Sequence, residues 1–150
     1  MSGGNTTEET DAVEPSEGLP SAAETAIRRI AVIGAGTMGA QIAQQAALHG
    51  FPVRLHDQSP EQVERAFSTN RRHLERRVAK GALSAGECDA ALARVQAAIA
   101  LDAAVAEADL VIEAIVEDLE AKRCIFQKLD RLAPPHAILA TNSSTMTVSE

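Results

Sequence analysis

The sequence predicts an α/β fold in which a parallel sheet is covered by helices on both faces. Three observations support this prediction. From Ile27 onward, short apolar runs alternate with stretches of helical periodicity. The runs are apolar almost throughout, as expected for strands that are buried on both faces. Glycines stand where two of the helical stretches end, at Gly50 and Gly81.

The first helix and the five strands follow from these local patterns. In a helix over residues 36–48, Met38, Ile42 and Ala46 are spaced four residues apart, so we expect this face to turn toward the sheet. Pro52 fits the first position of a strand, where its missing N–H costs no essential hydrogen bond. The five strands are predicted at residues 29–33, 52–56, 97–100, 110–115 and 137–140.

Two helices after the second strand form a candidate helical insertion. Ser59-Pro60 opens a helix that runs to about Ala79, because proline suits the first helical turn. Ser84 and Glu87 have the spacing of a capping box, so a second helix begins there. The remaining helices are predicted to begin at Asp102 and to span residues 117–132.

Composition limits the classes of function. The chain has 150 residues and a formal net charge of −7, and no basic stripe rises above this acidic background, which disfavours a nucleic-acid partner. The densest basic cluster, between Arg71 and Lys80, is interpreted as the solvated face of a helix. No segment is apolar enough to predict a membrane span. We therefore predict a protein without nucleic-acid or membrane partners.

The N-terminal segment and the cysteines indicate a cytoplasmic protein. Residues 1–25 lack apolar periodicity and are predicted to be a disordered acidic tail, which leaves residues 26–150 as the folded domain. This tail lacks the arginines of a mitochondrial presequence and the apolar stretch of a signal peptide. Cys88 and Cys124 form no C-x-x-C pair, so no disulfide framework or metal site is indicated, and both are expected in the core.

A glycine cluster followed by an acid identifies a dinucleotide-binding unit in residues 29–57. Gly34 permits the tight turn after the strand, Gly36 lets the main chain approach a pyrophosphate, and Gly39 lets the helix pack closely. Asp57 follows Gly39 by 18 residues, the usual distance for a carboxylate that binds the adenosine ribose. A carboxylate there repels a 2′-phosphate, so NAD is favoured over NADP. The pattern predicts a Rossmann-type doubly wound sheet.

Other polar residues at the carboxyl ends of the strands permit two interpretations. Asp57 itself could only begin a turn before Ser59-Pro60. Residues 142–145 could be ordinary turn material or could include a catalytic serine. Glu117 could be an N-terminal acid that interacts with a helix dipole, and Lys122 could be a surface residue. None of the four histidines is placed convincingly as a general base, since only His56 is near the expected crevice.

Three blocks of sequence resemble the N-terminal half of the 3-hydroxyacyl-CoA dehydrogenases, in the same order. They are Gly34-Ala-Gly-Thr-Met-Gly39, Ala108-Asp-Leu-Val-Ile-Glu-Ala-Ile-Val-Glu-Asp118 and Ala140-Thr-Asn-Ser-Ser144. The resemblance spans about Arg28 to Val148. It implies an enzyme that oxidises an (S)-3-hydroxyacyl-CoA to the 3-oxoacyl-CoA and passes hydride to NAD, or that catalyses the reverse reduction. It also implies a homo-oligomeric full-length form.

The resemblance also implies roles for particular residues. Ser144 matches the catalytic serine that contacts both substrate and nicotinamide, and Lys80 matches a basic residue near the CoA phosphates. His73 stands where some members carry a CoA-contacting serine, a departure that bears on Lys80. The cofactor-binding residues that it implies, together with those derived above, are Gly34, Ala35, Gly36, Thr37, Met38, Gly39, Asp57, Glu117, Lys122, Asn142 and Ser144.

The sequence departs from the family pattern at its end. The histidine that takes the hydroxyl proton in the family, the glutamate that orients it and the following helical domain would all lie after Glu150. We therefore expect a truncated cofactor-binding half that binds NADH but is inactive alone and prone to aggregate. Two alternatives are a non-catalytic nucleotide-binding or interaction module and a related sugar-acid dehydrogenase.

Overall fold

The computed structural model describes residues 26–142 and contains one parallel sheet with helices on both faces. The predicted tail and residues 143–150 lie outside the described residues, so the tail's disorder and the domain bounds stay predictions. In chain order the elements are β1 (Ile30–Ile33), α1 (Thr37–Leu48), β2 (Val53–His56), α2 (Pro60–Ala79), α3 (Ala85–Arg94), β3 (Val95–Ala97), α4 (Leu101–Val105), β4 (Leu110–Glu113), α5 (Leu119–Leu132) and β5 (Ile138–Thr141).

The strand order of the sheet is β3-β2-β1-β4-β5, and every neighbouring pair is parallel. Ile30 of the central strand β1 is aligned with Val53 on one side and with Leu110 on the other. The order reverses between β1 and β4, so the carboxyl ends of these strands flank the crevice where such sheets bind ligands. The predicted Rossmann-type fold is confirmed.

Alternate residues of β1 face two separate cores, which explains why this strand is apolar throughout. Ile30 and Val32 face a core that α1, α2 and α3 cover. Ala31 and Ile33 face a second core that α4 and α5 cover. The sheet therefore has helices on both faces, and only its strand ends are available for a site near β1.

Helix α1 packs on the sheet through a different face from the predicted one. Its buried residues are Gly39, Ala40, Ala43, Gln44 and Ala47, whereas half of the surface of Met38 is exposed. Of the predicted stripe, Ile42 and Ala46 are partly buried against the core but Met38 is not, so the buried face is rotated by about one residue from the prediction. The physical reason is size, because close approach to the strand requires the glycine and alanine face rather than the face with long side chains.

The helical pair α2 and α3 has the predicted end signals. Pro60 is in the first turn of α2, and Ser84 and Glu87 exchange both capping-box hydrogen bonds, each at 3.0 Å. The pair also packs against α1, since the Asn70 side chain donates to the Ala40 carbonyl oxygen at 3.1 Å. The inserted pair is thus part of the main core.

Most element boundaries differ from prediction by one to three residues, for example β4, which ends at Glu113 rather than at residue 115. Two of these differences have clear local reasons. Strand β3 covers Val95–Ala97 rather than 97–100, because its register is set by pairing with β2. Helix α5 begins at Leu119 rather than at residue 117, because Asp118 is its N-cap. The Asp118 carboxylate accepts hydrogen bonds from the N–H groups of Glu120 and Ala121.

The two cysteines differ in environment. Cys88 is buried, and burial raises the pKa of its thiol. Cys124 is exposed, so its predicted core position is wrong. Helix α5 buries Lys122 and Leu129, which share one face, and Cys124 lies on another face. No helix within residues 26–142 combines the length and apolar character needed to cross a bilayer.

Candidate functional site

The loop between β1 and α1 is the centre of the candidate site, and its backbone depends on two glycines. Gly34 has a φ of +106°, which residues with side chains rarely adopt, and an added Cβ would lie 2.6 Å from the Ala114 carbonyl oxygen. Gly39 lies directly against this loop, so an added Cβ there would overlap the Gly34 carbonyl oxygen. Packing therefore requires glycine at both positions.

Gly36 differs from these two glycines, because packing within the protein does not require glycine at this position. An added Cβ at Gly36 would meet no atom within 4 Å. Gly36 is the N-cap of α1 and provides no side-chain acceptor, and the first turn of α1 carries no acidic residue. The backbone N–H groups of this turn, at Thr37 and Met38, are thus left for an external acceptor. A helix N-terminus of this kind suits a phosphate group, so the residues present fit a dinucleotide.

Asp57 follows β2 and lies beside the same loop. One carboxylate oxygen accepts a hydrogen bond from the Ala35 N–H at 2.8 Å, and the other accepts one from the Ser59 N–H at 2.8 Å. The carboxylate therefore stabilises the turn before Ser59-Pro60, as one of the two interpretations predicted. It also contacts the loop between β1 and α1, which we call the glycine loop. It is half-buried, and each oxygen keeps a second lone pair that could accept a ribose hydroxyl.

A cleft of about 670 Å³ extends from the glycine loop over Asp57 to α5. Apolar atoms of Leu101, Ile115 and Val116 contribute to its walls, as does Cys124. None of these four residues was predicted to line a ligand site. Ile115 and Val116 could have been found, because they directly follow β4. Cys124 could not, because its position depends on how α5 docks.

A buried ion pair lies at the carboxyl ends of β4 and β5. The Lys122 ammonium is 2.8 Å from one Glu113 carboxylate oxygen and 3.2 Å from the other. Glu113 is fully buried and Lys122 is 6% exposed, so the interpretation of Lys122 as a surface residue is wrong. Glu117 is exposed and its carboxylate is 3.8 Å from the same ammonium. The pairing of Glu113 with Lys122 was not predicted, because a carboxylate at the end of an apolar run does not reveal its partner.

The other predicted residues are distributed as follows. Thr37 and Met38 begin α1 beside the glycine loop, and Asn142 follows β5, where its N–H donates to the Glu113 carbonyl oxygen at 2.8 Å. Lys80 is exposed at the far end of α2, which at 20 residues is about 30 Å long. The structure therefore does not bring Lys80 to the cleft. Ser144 lies outside the described residues.

None of the four histidines is placed to act as a base in the cleft. His56 borders the cleft but is buried, with Nδ1 3.0 Å from the Ala98 carbonyl oxygen. His136 contacts Asp109 at the opposite end of the sheet, at 2.9 Å. His49 contacts the Gln45 carbonyl oxygen at the end of α1, and the fourth is exposed on α2.

Comparison with known proteins identifies the family. Residues 29–150 match the family model described as "3-hydroxyacyl-CoA dehydrogenase, NAD binding domain". The chain belongs to this family. As an NAD-binding domain of the 3-hydroxyacyl-CoA dehydrogenases, it has NAD as its cofactor, in agreement with the prediction from Asp57 and the glycine loop.

Individual relatives agree with this assignment. A probable 3-hydroxybutyryl-CoA dehydrogenase of Bacillus subtilis is 42% identical over 83% of this chain and 43% of the relative. The crystal structure of a 3-hydroxybutyryl-CoA dehydrogenase from Escherichia coli matches with a TM-score of 0.80 and 42% identity, over 83% of this chain and 26% of that chain. The solved structure of a diketoreductase that catalyses reactions of dicarbonyl compounds matches with a TM-score of 0.73 and 41% identity, over 82% of this chain and 44% of that chain. The chain thus spans less than half the length of these relatives.

Proposed function

We propose that this chain is the cofactor-binding part of an NAD-dependent 3-hydroxyacyl-CoA dehydrogenase. The observation that carries the proposal is the arrangement at the ends of β1 and β2. Open space lies over Gly36, the N-terminus of α1 has no acid, and Asp57 fixes the loop through the Ala35 N–H. This arrangement suits a pyrophosphate beside a ribose.

Asp57 supports NAD rather than NADP. Each of its carboxylate oxygens accepts one hydrogen bond from a backbone N–H, so each can accept a further one from a ribose hydroxyl. A 2′-phosphate in the same place would put two anionic groups together without a cation from the loop. No arginine or lysine lies among residues 34–59 except Arg54, which contacts Glu107 and the Ala103 carbonyl oxygen.

The proposed reaction is oxidation of an (S)-3-hydroxyacyl-CoA to the 3-oxoacyl-CoA, or the reverse reduction. Bound NAD supplies the hydride acceptor for this chemistry. The chain's own residues bind and orient the cofactor. They do not supply the base, because none of the four histidines is available in the cleft to take the hydroxyl proton. The exposed basic end of α2, which includes Lys80, is proposed to contact CoA phosphates.

A second candidate is reduction of a dicarbonyl compound that carries no CoA. The 41% identity to the diketoreductase favours it, and the distance of Lys80 from the cleft is consistent with it. In either case we place the enzyme in the cytoplasm, where free thiols such as Cys88 and Cys124 stay reduced. We also propose a homo-oligomeric whole enzyme, as the family resemblance implies.

Titration of the chain with NADH and NADPH tests the proposal. We expect NADH to bind at least about tenfold more tightly, because like charges placed together in a binding site cost several kcal/mol. We also expect no NADH oxidation with acetoacetyl-CoA by this chain. Binding of neither nucleotide, or tighter binding of NADPH, would reject the cofactor assignment.

The substrate class needs a separate assay on the gene product that contains this chain. NADH oxidation should be faster with acetoacetyl-CoA than with the same acyl group as a simple ester. A higher kcat/KM for the simple ester would favour the dicarbonyl alternative. The Lys80→Glu variant should have a higher KM for acetoacetyl-CoA and an unchanged KM for the simple ester.

A further inference from the structure

Glu113 is an ionisable residue at a position that solvent does not reach. It is the last residue of β4, it is 0% exposed, and its neighbours Val111 and Ile33 belong to the apolar core. Burial of a carboxylate is costly unless the charge is paired and hydrogen-bonded. Apolar residues of similar size often stabilise such positions equally well. The charge therefore calls for an explanation other than stability.

The contacts of Glu113 join three chain segments. Its side chain accepts from the Lys122 ammonium of α5 at 2.8 Å and from the Ile115 N–H of the loop after β4 at 3.2 Å. The Thr141 hydroxyl at the end of β5 lies 3.5 Å from the same carboxylate. Its backbone carbonyl accepts from the Asn142 N–H at 2.8 Å. All these segments converge at the carboxyl ends of β4 and β5.

This end of the crevice is opposite the Asp57 end. Asp57 follows β2, whereas the Glu113–Lys122 pair lies across β1, at β4. A dinucleotide that spans the switch point places one nucleoside on each side of β1. If Asp57 binds the adenosine half, the other half, which carries the nicotinamide, lies over the side that Glu113 organises.

Lys122 has three N–H donors. The two Glu113 oxygens, at 2.8 and 3.2 Å, can take two of them. The Glu117 carboxylate approaches the same ammonium to 3.8 Å. Without Glu113, a flexible four-carbon side chain would hold its ammonium in no single place.

We propose that Glu113 is a positioning residue, which acts by fixing the Lys122 ammonium and thereby orders the nicotinamide side of the cofactor site. The inference rests on the proposed function, because it assumes that NAD occupies the crevice. Glu113 itself touches no cofactor atom in this proposal. Its effect should therefore disappear when Lys122 can no longer respond.

A double-mutant cycle with two ligands tests this idea. The proteins are wild type, Glu113→Gln, Lys122→Met and the double variant, and the ligands are NADH and ADP. NADH binding is followed through the enhanced nicotinamide fluorescence, and ADP binding by calorimetry. ADP reaches only the glycine loop and the Asp57 end, so it reports on the fold and on the half that Glu113 does not serve.

Each single variant should weaken NADH binding by about tenfold, the usual effect of losing a hydrogen bond to a charged group. The double variant should bind NADH no more weakly than Lys122→Met, since Glu113 acts through Lys122. Affinity for ADP should change by less than about twofold in all three variants, because ADP makes no contact with the side of the site that Glu113 and Lys122 form. A tenfold change would correspond to the loss of a whole interaction. Glu107→Gln, at an exposed ion pair with Arg29, is the matched control and should change neither affinity.

Several outcomes would overturn the inference. Parallel losses of NADH and ADP affinity would show that Glu113 only supports the fold. Multiplicative losses in the double variant would show that it does not act through Lys122. If Glu113→Gln alone fails to fold because Lys122 is left unpaired, the double variant decides. Its failure to fold, or weaker NADH binding than Lys122→Met, would also count against the proposal. If the wild-type protein binds neither ADP nor NADH, the proposed function itself fails.

Discussion

Replacement of Gly36 with valine would test whether the N-terminus of α1 holds the cofactor's phosphates. Gly36 has φ −71° and ψ −168°, an extended conformation that any residue adopts, and no atom lies within 4 Å of an added Cβ. The variant should therefore fold. Its free energy of unfolding should change by less than about 1 kcal/mol, a typical effect at a helix N-cap.

The effect on binding should be much larger. The valine side chain would fill the space through which a pyrophosphate approaches the N–H groups of Thr37 and Met38. Loss of one hydrogen bond to a charged oxygen costs about 1.5–3 kcal/mol. The Kd for NADH should therefore rise by about 10- to 150-fold.

The assay is titration with NADH by fluorescence, paired with thermal unfolding of each variant. Gly86→Val is the matched control, because Gly86 also lies in the first turn of a helix and an added Cβ there meets nothing within 4 Å. It should bind NADH as wild type does. A folded Gly36→Val variant with wild-type affinity would refute the proposed phosphate position.

Two further predictions follow from the described geometry. Because Cys124 is exposed and lines the cleft whereas Cys88 is buried, a thiol reagent should modify Cys124 first, and saturating NADH should slow that reaction; modification at an unchanged rate would argue against occupation of this cleft. Hydrogen bonds from His136 and from the backbone of Arg28 lower the pKa of Asp109. The stability that Asp109 contributes is therefore present above its ordinary pKa and is lost as the pH falls through the lowered value. Asp109→Asn should lower the free energy of unfolding by about 1–3 kcal/mol at neutral pH, and denaturant titrations at decreasing pH should show the difference from wild type shrinking; a constant difference would contradict this assignment.

Local signals were sufficient for most of the fold. Gly34, Gly39 and Asp57 mark the strand–turn–helix unit by spacing alone, and Ser84 with Glu87 marks a helix start. These signals act over a few residues, so the sequence reveals them directly. The observed strand order is the one typical of a Rossmann-type doubly wound sheet.

Packing between distant segments was less predictable. The choice between the Met38 face and the alanine face of α1 depends on how closely the helix approaches β1, which hydrophobic spacing does not reveal. The partner of Glu113 is nine residues away across a loop and a helix start. That pairing exists only after α5 has docked on the sheet, so neither the partner of Glu113 nor the burial of Lys122 could be inferred from periodicity.

The hydrogen bonds of the Asp57 carboxylate have a consequence for how quickly a ligand is captured. The carboxylate accepts hydrogen bonds from the Ala35 and Ser59 N–H groups, so it joins the loop after β1 to the loop after β2 without the help of a ligand. A site that is rigid in advance loses little conformational entropy when it is filled. Association should then be governed by diffusion and orientation rather than by a slow loop closure.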